Sequence, residues 1–95
     1  MADPFEALAH PLRRDLLRRL QQEGELAAGA LAESTNVSKP TLSHHLKVLT
    51  TAGLVDRERR GTFVYYRINQ SLVEEVVHRM FDLFGVGAAK QTERT

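Results

Sequence analysis

The chain has 95 residues, 42% apolar and 26% charged, with 13 Lys and Arg against 12 Asp and Glu; this fits one small folded domain with a formal charge of only +1. No apolar run approaches the roughly 18 residues of a transmembrane helix, and the absence of Cys excludes a disulfide framework, thiol catalysis and thiolate-bound metal. A domain this small buries only about 60–65% of its unfolded surface, so a partner subunit would help to stabilise it.

Phe5, Leu8 and Ala9 mark a short apolar turn or helix, and Met1 to Leu12 lacks the basic start and apolar core of a secretory signal. A cytoplasmic protein is expected. His10 is placed to cap the next helix, where Pro11 suits the first turn. Leu12, Leu16, Leu17 and Leu20 follow helical spacing, with Arg13, Arg14, Arg18 and Arg19 on the other faces and Asp15 placed to pair with Arg19. Gly24 stops this helix. Leu26, Ala27, Leu31 and Ala32 outline a short second helix reaching Glu33 or Ser34, and Asn36 suits the turn that follows. Ser38 is a good N-cap, Lys39 and Pro40 occupy the first turn, and Leu42, Leu46 and Leu49 repeat at i, i+4 and i+7. Gly53 ends that third helix after Ala52.

The period then changes to two. Val55, Arg57 and Arg59 alternate with Asp56 and Glu58, and Val64, Tyr66 and Ile68 alternate with Phe63, Tyr65 and Arg67. The two runs flank Gly61 and Thr62 and predict a β-hairpin. Val64, Tyr66 and Ile68 are its expected core side. Asn69 or Ser71 caps a last helix carrying Leu72, Val73, Val76, Val77, Met80, Phe81 and Phe84, with Gly85 and Gly87 at its end. Residues 1–87 are expected to form the domain and 88–95 a flexible polar tail.

The predicted architecture is mainly helical: about five helices with a two-stranded hairpin as a wing, a winged helix-turn-helix. Charge is distributed to match. From Asn36 to Arg67 there are six basic and two acidic residues, a local +4, which leaves −3 for the remainder. Such a stripe is either a cationic face for a polyanion or a chance cluster on a solvated surface. In the third helix the leucines face the domain, while Ser38, Lys39, Thr41, Ser43, His44 and Lys47 are candidates for contact with base edges and phosphates of double-stranded DNA. Arg59, Arg60 and Thr62 at the hairpin tip are candidates for the backbone or minor groove, with Asp56 and Glu58 turned elsewhere or tethering the arginines.

The stretch from Ser38 to Leu49 (SKPTLSHHLKVL), followed by Ala52-Gly53-Leu54-Val55, resembles the recognition region of the ArsR/SmtB family. Ala9-His10-Pro11-Leu12-Arg13 and the run from Arg60 to Arg67 (RGTFVYYR) resemble that family as well, so the likeness spans roughly residues 3–84. It implies a homodimeric transcriptional repressor acting on an imperfect palindrome, in a family where many members release DNA on binding a metal or another inducer. The metal sensors' Glu-Leu-Cys-x-Cys run reads Glu25-Leu26-Ala27-Ala28-Gly29 here, so both thiolate positions are lost. The match is closer to the cysteine-free branch of sporulation-delay-type autorepressors. No metal and no cofactor is expected, and the inducer or partner protein is left open.

His44 and His45 point about 100° apart on a helix. His44 is assigned to DNA and His45 to a partly buried structural role. His78 with Glu74 or Asp82 lies on one helical face, where an ion pair is the ordinary outcome and a metal site across a dimer the rarer one. The last helix carries more apolar surface than a small core needs. Val73, Val77, Met80, Phe81 and Phe84, with Phe5 and Leu8, are therefore expected at a two-fold interface. A winged-helix module that binds protein rather than DNA is the alternative. An enzyme is excluded by the lack of a nucleophile–base pair or a glycine-rich phosphate loop.

Overall fold

The computed structural model describes residues 3–86. In chain order it contains α1 (Pro4–Ala7), α2 (Pro11–Glu23), β1 (Leu26–Ala27), α3 (Ala28–Glu33), α4 (Lys39–Thr51), β2 (Val55–Arg60), β3 (Phe63–Ile68) and α5 (Gln70–Phe84). The expected tail, 88–95, lies outside the described residues.

Local chemistry sets most helix starts. Asp3 accepts a hydrogen bond from the Phe5 N–H, His10 Nδ1 from Leu12, Ser38 Oγ from Thr41 and Asn69 Oδ1 from Leu72. Each satisfies one of the donors that a helix start leaves without a partner. Asn69, rather than Ser71, is thus the cap of the last helix. Asp15 pairs with Arg18 at 2.8 Å, one residue short of the expected Arg19. Gly53 closes α4 for two reasons: its φ is +83°, and a Cβ there would stand 2.9 Å from Leu72 Cδ2.

The sheet is antiparallel with strand order β1-β3-β2. The hairpin forms as expected, with Val55 opposite Ile68 and Arg60 opposite Phe63. The third strand is a correction. Leu26 and Ala27, expected to begin a helix, instead pair with Tyr66 and Tyr65, and the helix starts at Ala28 without a side-chain cap. Two residues carry no readable period, and their conformation comes from the free edge of β3, whose N–H and C=O groups they satisfy.

Leu16 and Leu20 of α2, Leu31 of α3, Leu42, Leu46 and Leu49 of α4, Leu54, Val55, Tyr66 and Val76 form the core. Val64 and Ile68 pack against it half-buried, on the strand face of Tyr66. Among the described residues His45 is the one buried polar side chain. α5 divides along its length. Leu72 and Val76 dock on the core, whereas Val77, Phe81, Leu83 and Phe84 stay 41–76% exposed.

Candidate nucleic-acid interface

The short α3 and the turn after it hold α4 across the domain with Leu42, His45, Leu46 and Leu49 inward. The outer face is polar. At 100° per residue, Lys39, Ser43, Lys47 and His44 fall within an arc of about 140°, and Thr41 lies roughly 60° beyond it. All five are exposed. Ser38 and Thr41 also bond each other, Oγ to Oγ1 at 2.9 Å, so these two hydroxyls brace the helix start as well as facing solvent.

His45 anchors this helix. Its ring lies 4.4 Å from that of His10 and 5.3 Å from that of His44. The Arg13 guanidinium donates to His45 Nδ1 at 3.1 Å and, through Nε, to the Ala7 carbonyl at 2.7 Å. Since Arg can only donate, Nδ1 accepts and the ring proton sits on Nε2, a neutral histidine. Burial holds the His45 pKa below its ordinary value, and the neighbouring His10, Arg13 and His44 act in the same direction.

Strand alternation gives the wing two unlike faces. Arg57 lies opposite Tyr66 and Arg59 opposite Val64, so both share the face turned toward the core and α4. Arg57 lines one groove with Pro40, Ser43, His44 and Lys47. Arg60 lies on the other face with Glu58, Tyr65 and Arg67. There it donates to Glu25 Oε1 at 3.1 Å and Glu58 Oε1 at 3.0 Å, and its guanidinium stands 4.4 Å from the Tyr65 ring centroid. Arg67 bridges the same two carboxylates at 3.4 and 3.0 Å. Hydrogen bonds from Arg60 hold the Glu25 and Glu58 carboxyls below their ordinary range, and Glu58 in turn raises the pKa of Arg60 and Arg67.

The structure therefore separates the three wing candidates. Arg59 is on the α4 side, Thr62 is exposed in the turn, and Arg60 is clasped on the far side. Arg57, legible in the sequence only as charge and strand, borders the α4 groove from the wing, together with Tyr66 of β3. Its signal was present in the period-two alternation, which puts 57 and 59 on one face and 60 on the other.

At the opposite end, Leu8, Val73, Val77 and Met80 line an apolar groove between α2 and α5, joined by Leu17 and Ile68. Phe81 and Phe84 extend this stripe along α5. Phe5 lies apart from the groove, 5.3 Å beneath the Arg79 guanidinium. Neither Leu17 nor the 71%-exposed Leu83 belongs to the interface set expected from the sequence. Glu74, His78 and Asp82 are exposed along α5, and among the described residues no three His, Asp or Glu side chains gather closely enough to hold a metal. No described helix is long and apolar enough to cross a membrane.

A helix-turn-helix domain family matches residues 8–58. The transcriptional repressor SdpR of Bacillus subtilis is 36% identical over 87 residues, which span 92% of this chain and 96% of SdpR. A crystal structure of a possible transcriptional regulator for arsenical resistance superposes with a TM-score of 0.75 at 35% identity, covering 97% of this chain and 94% of that one. The solution structure of a homodimeric winged helix-turn-helix DNA-binding domain from Mycobacterium bovis, a possible ArsR-family regulator, superposes with a TM-score of 0.63 at 39% identity, covering 95% and 79%.

Proposed function

Because the chain belongs to the ArsR family of winged helix-turn-helix transcriptional repressors, we propose that it binds a pseudo-palindromic duplex operator as a homodimer. The observation that carries this reading is the single groove in which the polar face of α4, with Ser43, His44 and Lys47, meets Arg57 of the wing. Lys47, Lys39, Arg57 and Arg59 supply phosphate contacts, and the α4 N-terminus adds its own N–H donors and positive dipole end. Ser38 and Thr41 meet the backbone at the helix start, while Ser43 and His44 sit where a major-groove helix touches base edges. Thr62 meets the backbone beside the wing.

The dimer reading is supported by the apolar stripe of α5, Val73, Val77, Met80, Phe81 and Phe84, continuous with Leu8, and by the homodimeric M. bovis relative; Phe5 lies outside this stripe, under Arg79. Two copies related by a two-fold axis present recognition helices to successive major grooves about 34 Å apart. Occupancy of an operator that overlaps a promoter then blocks RNA polymerase.

The test is selection of binding sites from random duplex DNA, followed by affinity measurements at two salt concentrations. The expected outcome is a palindrome with affinity falling steeply in salt. Recovery of no motif, with weak binding to every duplex, would refute sequence-specific repression and leave the protein-binding winged-helix module in its place.

A further inference from the structure

Glu25 is not on α4 and not on the hairpin. It follows Gly24, the C-cap of α2, and precedes the two-residue strand β1. Its carboxylate nevertheless closes a four-charge ring with wing residues 33 to 42 positions later, in the order Glu25, Arg60, Glu58, Arg67. Both Glu25 oxygens receive Arg60, Nη1 on Oε1 and Nη2 on Oε2. The planar fork of Arg suits this two-point geometry in a way Lys would not. The Glu25 side chain is only 32% exposed, more sheltered than its partners.

The placement has a mechanical consequence. β1 joins the sheet through only two residue pairs, Leu26 with Tyr66 and Ala27 with Tyr65. The same segment leads directly into α3, the first helix of the helix-turn-helix. The Glu25 clasp adds a side-chain tie between that segment and the distal part of the hairpin, where Arg60 ends β2. It has an electrostatic consequence as well. The outer wing face carries Arg60 and Arg67 against Asp56, Glu58 and Glu25, so it bears no net positive charge. Among the described residues, the wing arginines outside the clasp, Arg57 and Arg59, are those on the α4 side.

We propose that Glu25 is a positioning residue for the wing: by holding Arg60 and Arg67 together with Glu58, it fixes the hairpin so that Arg57 and Arg59, and not Arg60, face the DNA backbone. The assignment rests on the DNA-binding reading above. An exposed ion pair adds little to stability, whereas a closed network fixes geometry. The effect is therefore read in discrimination between DNA sequences, with folding little changed.

The experiment measures binding of the full chain to the best selected duplex and to a scrambled duplex of the same composition, over a range of salt. It uses wild type, Glu25→Gln, Arg60→Gln, the double variant and Arg59→Gln. Arg59→Gln makes the salt slope shallower by about 0.9 for each phosphate left without its cation, about 1.8 per dimer. Arg60→Gln leaves the slope at the wild-type value but lowers the selected-over-scrambled ratio several-fold. Glu25→Gln lowers that ratio to a similar extent, and the double variant loses no more than either single one, as expected for residues acting through each other. If Arg60→Gln flattened the slope as Arg59→Gln does, Arg60 would be a direct phosphate contact and the assignment would fall. An unchanged ratio in Glu25→Gln, or additive losses, would overturn it equally. Failure of the wild-type chain to prefer the selected duplex would instead overturn the DNA-binding reading, and the assignment with it.

Discussion

Replacing Phe81 with Ala tests the interface where it is simplest to separate from the fold. Phe81 lies on α5 at i+4 from Val77 and three residues before Phe84, on the stripe that leaves the core. It is 45% exposed in the single chain. A Phe side chain presents on the order of 200 Å², so roughly 90 Å² of Phe81 is open to a second copy. At about 25 cal/mol per Å² this is about 2 kcal/mol per protomer. A two-fold interface uses the patch twice, giving about 4–5 kcal/mol per dimer. Ala retains roughly a third of the contact, so the loss is about 3 kcal/mol, or about 100-fold in dimer Kd. Sedimentation equilibrium over micromolar concentrations measures this, with circular dichroism to confirm that the helices persist. Glu75→Ala, on the polar side of the same helix, serves as the control and should leave Kd unchanged. A Phe81→Ala chain that dimerises within about threefold of wild type would refute the assignment of this stripe to the interface.

Three further outcomes are expected. Arg57→Ala should weaken binding to selected and scrambled duplexes alike and make the salt slope shallower by about 0.9 for each phosphate that Arg57 neutralises, as read by fluorescence anisotropy; an unchanged slope would remove Arg57 from the DNA face. Gly53→Ala should destabilise the domain by more than about 1 kcal/mol in urea unfolding, since Ala must adopt a φ of +83° with its Cβ against Leu72. The His45 pKa is held below 6.5 in the folded chain, so below that pH the unfolded chain binds the extra proton more readily. Stability should then be full above about pH 6.5 and fall as pH drops, by at most about 1.4 kcal/mol per pH unit for one proton. His45→Gln keeps an acceptor for Arg13 and should flatten this dependence, as followed by thermal unfolding at a series of pH values.

Much of the architecture was legible in the sequence because it is written in contiguous periods. The leucines of α4 recur at helical spacing, and their burial by itself turns Ser43, His44 and Lys47 outward. The hairpin follows from alternation around Gly61. The caps at His10 and Ser38 follow from side chains that reach their own backbone two or three residues on. Each of these is a contest between a residue and its near neighbours, settled within one or two turns of chain.

Tertiary structure decided what depends on distant partners. Leu26 and Ala27 are a strand because β3 offers them an unpaired edge, and two residues cannot announce that in a pattern. Arg59 and Arg60 are adjacent and alike in sequence, but opposite sides of a pleated strand give them different surroundings. One shares the face toward α4, and the other meets Glu25 from 35 positions upstream. The His45 pKa is lowered because folding buries the ring and brings it against His10 and Arg13. The apolar arc of α5 was visible as composition, but only packing divides it into Leu72 and Val76, which dock on the core, and Val77, Phe81 and Phe84, which stay exposed on the single chain. A side chain's periodicity depends on its neighbours along the chain, whereas its partner depends on which distant segment the folded backbone brings within a few ångströms.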